Sequence, residues 1–187
     1  LLRRLAVPAA RNARAEAAAV VQVLSGSGWR SSDVLVAGWE SPGFDDSGWA
    51  YARGAYPGPG SPQDLIPGTL ATPMWHDPAG TSNGMTGPNT AFFRYAFGLP
   101  SLPANAQITV SVDDDYRLYV NGTLAFENQD GGNAHIVDHI DVSALLREGT
   151  NTLAIMAVDG ALAGPYDRLY ERVLLDGKIS TVDTRLS

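Results

Sequence analysis

The sequence predicts an all-β chain, an antiparallel β-sandwich preceded by an N-terminal helical or extended arm, and three observations predict it. From Trp29 onward, short apolar or alternating runs are separated by Gly, Pro, Asp and Asn, the texture of antiparallel strands joined by turns. Asn121-Gly122, the strongest short hairpin signal, stands between two such runs. The beginning of the chain differs: residues 1–24 are rich in Ala, Arg and Val, and Ser25-Gly26-Ser27-Gly28 reads as a linker. The expected division is an arm and linker over 1–28 and a sandwich over 29–187.

Each element has its own justification. In the arm, Pro8 suits a first helical turn, Ala13, Ala17, Val20 and Leu24 recur at helical spacing, and Gly26 is placed to close the helix. Residues 18–24 also read as a strand, because Val20, Val21 and Val23 are β-branched; helix is the first expectation and strand the second. Strands are expected over 91–97, 106–112, 116–120, 124–127, 136–140, 152–158 and 168–175, with Asp114-Asp115 and Asn121-Gly122 at turns. In the first of these, Phe93, Tyr95 and Phe97 alternate with Phe92, Arg94 and Ala96, so one set faces a core. Residues 143–148 read as one helical turn with Ser143 as its cap and Gly149 as its stop. Asn151 is placed to tie the backbone of that turn through its amide. From Tyr56 to Pro88 the chain is Pro/Gly-rich, a length of loop that is usually functional or pinned to the body.

Composition narrows function. The 187 residues suit one domain, and 13 Lys and Arg against 20 Asp and Glu give a net charge of −7. With Lys178 as its single lysine, the chain lacks the basic surface that nucleic acid demands. No run reaches the roughly 18 to 20 apolar residues of a membrane span. The absence of Cys excludes disulfides, thiolate zinc sites, iron–sulfur clusters and a cysteine nucleophile. Charge is uneven: within residues 1–30, five arginines (Arg3, Arg4, Arg11, Arg14 and Arg30) face only Glu16, a local +4 that leaves −11 for the rest.

Four segments, in order, carry a family resemblance. They are Trp29-Arg30-Ser31-Ser32-Asp33 with Gly38-Trp39 and Phe44-Asp45-Asp46-Ser47-Gly48-Trp49; Trp75 with Phe92-Phe93-Arg94-Tyr95-Ala96-Phe97; Asp113-Asp114-Asp115 through Tyr119-Val120-Asn121-Gly122; and Asp141-Val142-Ser143 through Gly149-Thr150-Asn151-Thr152-Leu153-Ala154. Together they resemble the galactose-binding-domain-like jelly-roll modules of secreted bacterial proteins and of glycoside hydrolase accessory domains. The resemblance implies a jelly-roll sandwich in an extracellular or cell-surface setting, and modules that serve sugar binding, adhesion or scaffolding.

The chemistry follows from weighing residues. Asp45-Asp46 and Asp113-Asp114-Asp115 could pair for glycoside hydrolysis, which needs two carboxyls roughly 5 to 10 Å apart, but acids beside Gly and Ser at strand ends cap turns, so no catalysis is expected. His135, His139 and Asp141 would share one face of a strand with the two histidines about 13 Å apart, too far for one zinc ion. Hard oxygen ligands from Asp45, Asp46, Asp113, Asp114 and Asp115 suit calcium, which many modules of the resembling fold carry structurally; no other cofactor is expected. For a sugar, the expected site is Trp75 with His76, Asp77 and Asn83 from the long loop, and Tyr56 and Tyr166 as further aromatics, while Trp29, Trp39 and Trp49 are expected in the core. A positive arm (Arg3, Arg4, Arg11, Arg14, with Val20, Val21 and Leu24 as its apolar part) on a negative body suits self-association or binding to another surface protein. The leading expectation is a non-catalytic extracellular or cell-surface module acting as a structural, fibre-type subunit through its arm. The alternative is a carbohydrate-binding module with a site near Trp75.

Overall fold

Alternation makes each long strand two-sided, and the chain buries the resulting faces by stacking two antiparallel sheets. The computed structural model describes residues 19–55, 62–79, 89–129, 136–160 and 172–182. In chain order the described elements are β1 (Ala19–Leu24), β2 (Arg30–Ser32), β3 (Ala50–Tyr51), β4 (Arg53–Gly54), α1 (Pro62–Leu65), β5 (Met74–Trp75), β6 (Thr90–Leu99), β7 (Pro103–Asp113), β8 (Asp115–Val120), β9 (Thr123–Asn128), β10 (Asp138–Asp141), β11 (Gly149–Val158) and β12 (Arg172–Thr181). The first sheet runs β10-β7-β12-β5-β4, with β1 also paired to β12; the second runs β3-β2-β6-β11-β8-β9. No described helix is long and apolar enough to cross a membrane.

The core lies between the sheets. Phe93, Leu118, Leu153 and Ile155 from the second sheet meet Ile108, Val110, Val173, Leu175 and Ile179 from the first, all buried, with Trp29 and Trp75 enclosed among them. The β8–β9 hairpin turns at Asn121-Gly122, whose positive φ angles of 51° and 83° are the left-handed pair that a tight two-residue hairpin requires. Trp29, Trp39 and Trp49 all pack against the body, Trp29 and Trp39 fully buried, as the motifs implied.

The arm corrects the first expectation. Residues 19–24 form a strand, not a helix, and pair antiparallel with β12 from Ala19↔Thr181 to Leu24↔Asp176. The alternation of Val21 and Val23 toward the core with Val20 outward outweighs the sparse helical stripe, because β12 offers an open row of backbone partners. The other residues expected in the arm, Arg3, Arg4, Arg11 and Arg14, lie outside the described residues. The expected helical turn is a short 3-10 turn, Ser143–Leu145, with no side-chain cap; the Ser143 hydroxyl instead accepts the Ala106 N–H at 2.8 Å.

The second sheet is buried on both faces around β6 and β11. Phe92, on the outer side of β6, joins Trp39 and Ala154, and Phe44, Trp49, Tyr119 and Met156 pack around them to make a second, smaller core under residues 33–49. Arg94 holds that cover in place. Its guanidinium, only 2% exposed, donates to Asp46 at 2.9 Å, to the Ser41 carbonyl at 3.1 Å, to the Phe44 carbonyl at 3.5 Å and to the Trp39 carbonyl. The Trp–Gly-Trp–Phe-Asp-Asp-Ser-Gly-Trp pattern is therefore a lid bolted to the arginine of the Phe-Phe-Arg strand.

Candidate functional site

Strand directions collect the polar chemistry at one end of the sandwich. There β2, β7, β9 and β11 end and β6, β8, β10 and β12 begin, so Asp33, Asp113, Asp114, Asp115, Asn128, Asp138, Asp159 and Arg172 gather around the same rim. The opposite end is spent on structure. Asn151, fully buried, donates to the carbonyls of Arg147 at 2.7 Å and Gly149 at 3.0 Å and accepts the Arg147 N–H at 2.9 Å, the tie its position suggested.

At the polar rim, Asp114, Asp159 and Arg172 all act on the buried Asp113 carboxyl. Asp114 accepts the Gly160 N–H at 2.8 Å, and Asp159 donates its N–H to the Asn89 carbonyl at 2.8 Å. Asp113 pairs in register with Arg172, and both are buried. Burial pushes the Asp113 carboxyl up to about 7, helped by its hydrogen bond with Asp114 and by the charges of Asp114 and Asp159, while Arg172 pulls the other way. Burial likewise holds the Arg172 guanidinium below its ordinary value.

Trp75, His76 and Asp77 do not form an open sugar site. Trp75 is 0% exposed and tilted against Phe93 at 5.7 Å, while His76 and Asp77 are each 7% exposed. Hydrophobic burial of β5 against β12 turned the loop's aromatic inward. The His76 Nδ1 meets the Ser31 hydroxyl at 3.0 Å and its Nε2 lies 3.7 Å from Asp33, and burial lowers its pKa despite the raising charges of Asp33 and Asp77. Tyr56, Asn83, Tyr166 and His135 lie outside the described residues.

The expected calcium donors are dispersed. Hydrogen bonds from the Ser47 side chain and, at 3.0 Å, from its N–H hold the Asp45 carboxyl below the ordinary value, and Asp46 binds Arg94, both on the lid. Asp113, Asp114 and Asp115 stand instead at the polar rim. Among the described residues no group of three or more His, Cys, Asp or Glu side chains is arranged to hold a metal ion. His139 contacts the Thr109 hydroxyl at 3.1 Å, and Asp141 accepts the Ser143 N–H at 2.9 Å.

The rim also carries a depression that sequence reasoning missed. It encloses about 70 Å³, or about 280 Å³ with its open mouth, and is lined by Asp115, Tyr116, Arg117, Asn128, Gln129, Met156 and Val158. Asp138 organises one wall, accepting from the Tyr116 hydroxyl at 2.6 Å and the Asn128 amide at 3.1 Å. Burial first, and Asp138 second, raise the Tyr116 phenol above its ordinary value, so the donor keeps its proton. Arg117 is ion-paired with Glu127, to which Gln129 also donates. The available signal was polar Asn128-Gln129 at the end of the strand after the Asn-Gly turn, which no aromatic residue highlighted.

Fold and rim together define an antiparallel β-sandwich module with a polar, loop-bearing end. Comparison with solved structures finds that fold inside larger enzymes. A β-glucuronidase of Bacteroides uniformis aligns over 85% of this chain and 18% of its own, with 16% identity and a TM-score of 0.54. A glycoside hydrolase family 2 β-glucuronidase aligns over 87% and 18%, with 12% identity and a TM-score of 0.53. An exo-chitosanase of Amycolatopsis orientalis aligns over 81% and 20%, with 17% identity and a TM-score of 0.53. The chain thus spans about a fifth of the length of the solved chains it matches. At these identities the likeness is one of fold. No protein-family model and no curated protein matches the sequence.

Proposed function

We propose that this chain is a non-catalytic accessory module of a carbohydrate-active protein, of the galactose-binding-like kind, contributing contact with glycan and not bond cleavage. The observation that supports it is the match itself: a sandwich aligned over 81–87% of this chain takes up only 18–20% of the aligned glycosidases. The four motifs of the resemblance are consistent with it, since the lid, the Arg94 strand, the Asn-Gly hairpin and the Asn151 turn each serve the scaffold. An extracellular or cell-surface setting belongs to the same proposal, because polymeric glycans are met there.

The fibre-subunit expectation gains no support. The described part of the arm, β1, is paired within its own sheet, and the aligned structures are enzymes.

Two assays of the purified 187-residue chain test the proposal: a broad printed glycan array, and turnover of a panel of nitrophenyl glycosides. Retention of glycans without turnover is the expected result. Hydrolysis abolished by a single Asp or Glu substitution would overturn the non-catalytic reading, and an array without retained glycans would remove the glycan-contact reading.

A further inference from the structure

We infer that the depression between β8, β9 and β11 is the glycan contact, and that it takes the edge of a neutral pyranose in preference to an anionic sugar. This rests on the glycan-contact reading above and replaces Trp75 as its location.

Shape comes first. The volume of about 70 Å³ seats part of one ring, and the mouth opens to solvent, so the rest of a monosaccharide would lie outside it against the sheet. A sugar site needs an apolar surface for the ring's C–H face and fixed polar groups for its hydroxyls. Met156 and Val158 on β11 supply the first, and Gln129 after β9, with Asp115 and Arg117 on β8, supplies the second.

Rigidity comes next, because polar groups that must be ordered on binding forfeit affinity. Asn128 is held by Asp138, Arg117 by Glu127, and Met156 packs into the small core beneath the lid with Trp39 and Phe92. The wall is therefore assembled before a ligand arrives.

Charge decides the class of sugar. Among the described residues Arg117 is the one cation lining the depression, its guanidinium is bound to Glu127, and the Asp115 carboxylate lines the same wall. A chain of net charge −7 adds to the repulsion of an anion. A uronate would have to displace Glu127 from Arg117, whereas a neutral ring keeps that pair and uses the Gln129 amide.

The test is ligand-detected saturation-transfer NMR on the full chain with the methyl glycosides of glucose, galactose, mannose and glucuronic acid. At least one neutral glycoside should bind, with a dissociation constant on the order of millimolar, and the glucuronide at least about tenfold more weakly. Val158→Trp, which fills the depression, and Gln129→Ala, at an exposed position, should each weaken the neutral glycoside by about tenfold or more. The Gln129 variant keeps the test valid if the tryptophan disturbs folding, and thermal melts of both report it. Equal binding by folded variants and wild type would overturn this location while leaving the glycan reading in place. A glucuronide bound as tightly as the neutral sugars would overturn the charge argument. A chain that binds none of the four glycosides and retains nothing on the array loses both.

Discussion

Arg94 and Asp46, 48 positions apart in sequence, meet as a 2.9 Å ion pair that fastens a surface segment to the back of a sheet. Arg94 sits mid-strand on β6, where its side chain faces away from the main core, and the lid's carbonyls converge on it. Losing the arginine would leave buried carbonyls and a carboxylate without their donor.

Arg94→Ala is therefore expected to lower stability by about 3 kcal/mol, with Trp39 and Trp49 fluorescence reporting exposure of the small core, as measured by urea unfolding. Arg94→Lys should recover little, because one ammonium cannot serve four acceptors spread around a planar fork. A wild-type midpoint in Arg94→Ala would refute the role assigned to it.

Asn151 closes the opposite end. Its amide also accepts from Asn121 at 2.8 Å, joining the hairpin turn to the 3-10 turn. Asn151→Ala should cost about 2 to 4 kcal/mol in equilibrium unfolding, since buried donors and acceptors on both turns lose their partners together.

Trp75→Ala is expected to act on folding and not on glycan contact. A fully enclosed indole beside Phe93 leaves a large cavity when removed, at about 3 to 5 kcal/mol. Loss of glycan retention with an unchanged melting temperature would restore Trp75 as the binding platform.

Deleting residues 1–28 should unfold or strongly destabilise the chain, by at least about 3 kcal/mol, because β1 pairs with β12 at six positions and buries Val23. Ser25 adds bonds to the Thr72 carbonyl at 2.8 Å and from the Leu175 N–H at 3.0 Å. A synthetic peptide of residues 19–28 added to the truncated chain should recover part of the lost melting temperature. A truncated chain that melts like the intact one would show that β1 is dispensable.

The polar rim predicts an unusual pH response. Asp113 binds its proton more tightly in the folded chain, at about 7, than in the unfolded chain, where 3.8 is the ordinary value. Between about pH 4 and pH 7 the folded state therefore holds the extra proton, and raising the pH through that window removes stability. His76 acts in the opposite sense: its lowered pKa means that stability is lost as pH falls below about 6.5. Asp113→Asn isolates the first contribution. The variant minus wild-type difference in unfolding free energy should grow from pH 4 to pH 7, and a flat difference would refute the burial of a protonated Asp113.

Strands and turns were legible because their determinants are local. The period-two alternation of Phe93, Tyr95 and Phe97, the left-handed tolerance of Asn121-Gly122 and the amide of Asn151 act within a few residues of themselves. The sequence by itself thus determined an all-β chain, the position of its hairpin and the inward packing of Trp29 and Trp39. Tertiary structure decided the rest. Whether residues 19–24 became helix or strand depended on the open edge of β12, more than 150 positions away. Whether Trp75 faced sugar or core depended on β5 docking beside Val173, and Met156 came to line a depression because β8 and β9 folded beside β11. The physical reason is that burial is a property of the assembled sheets: residue type sets what a side chain gains by leaving water, and only the partner strands set whether it does.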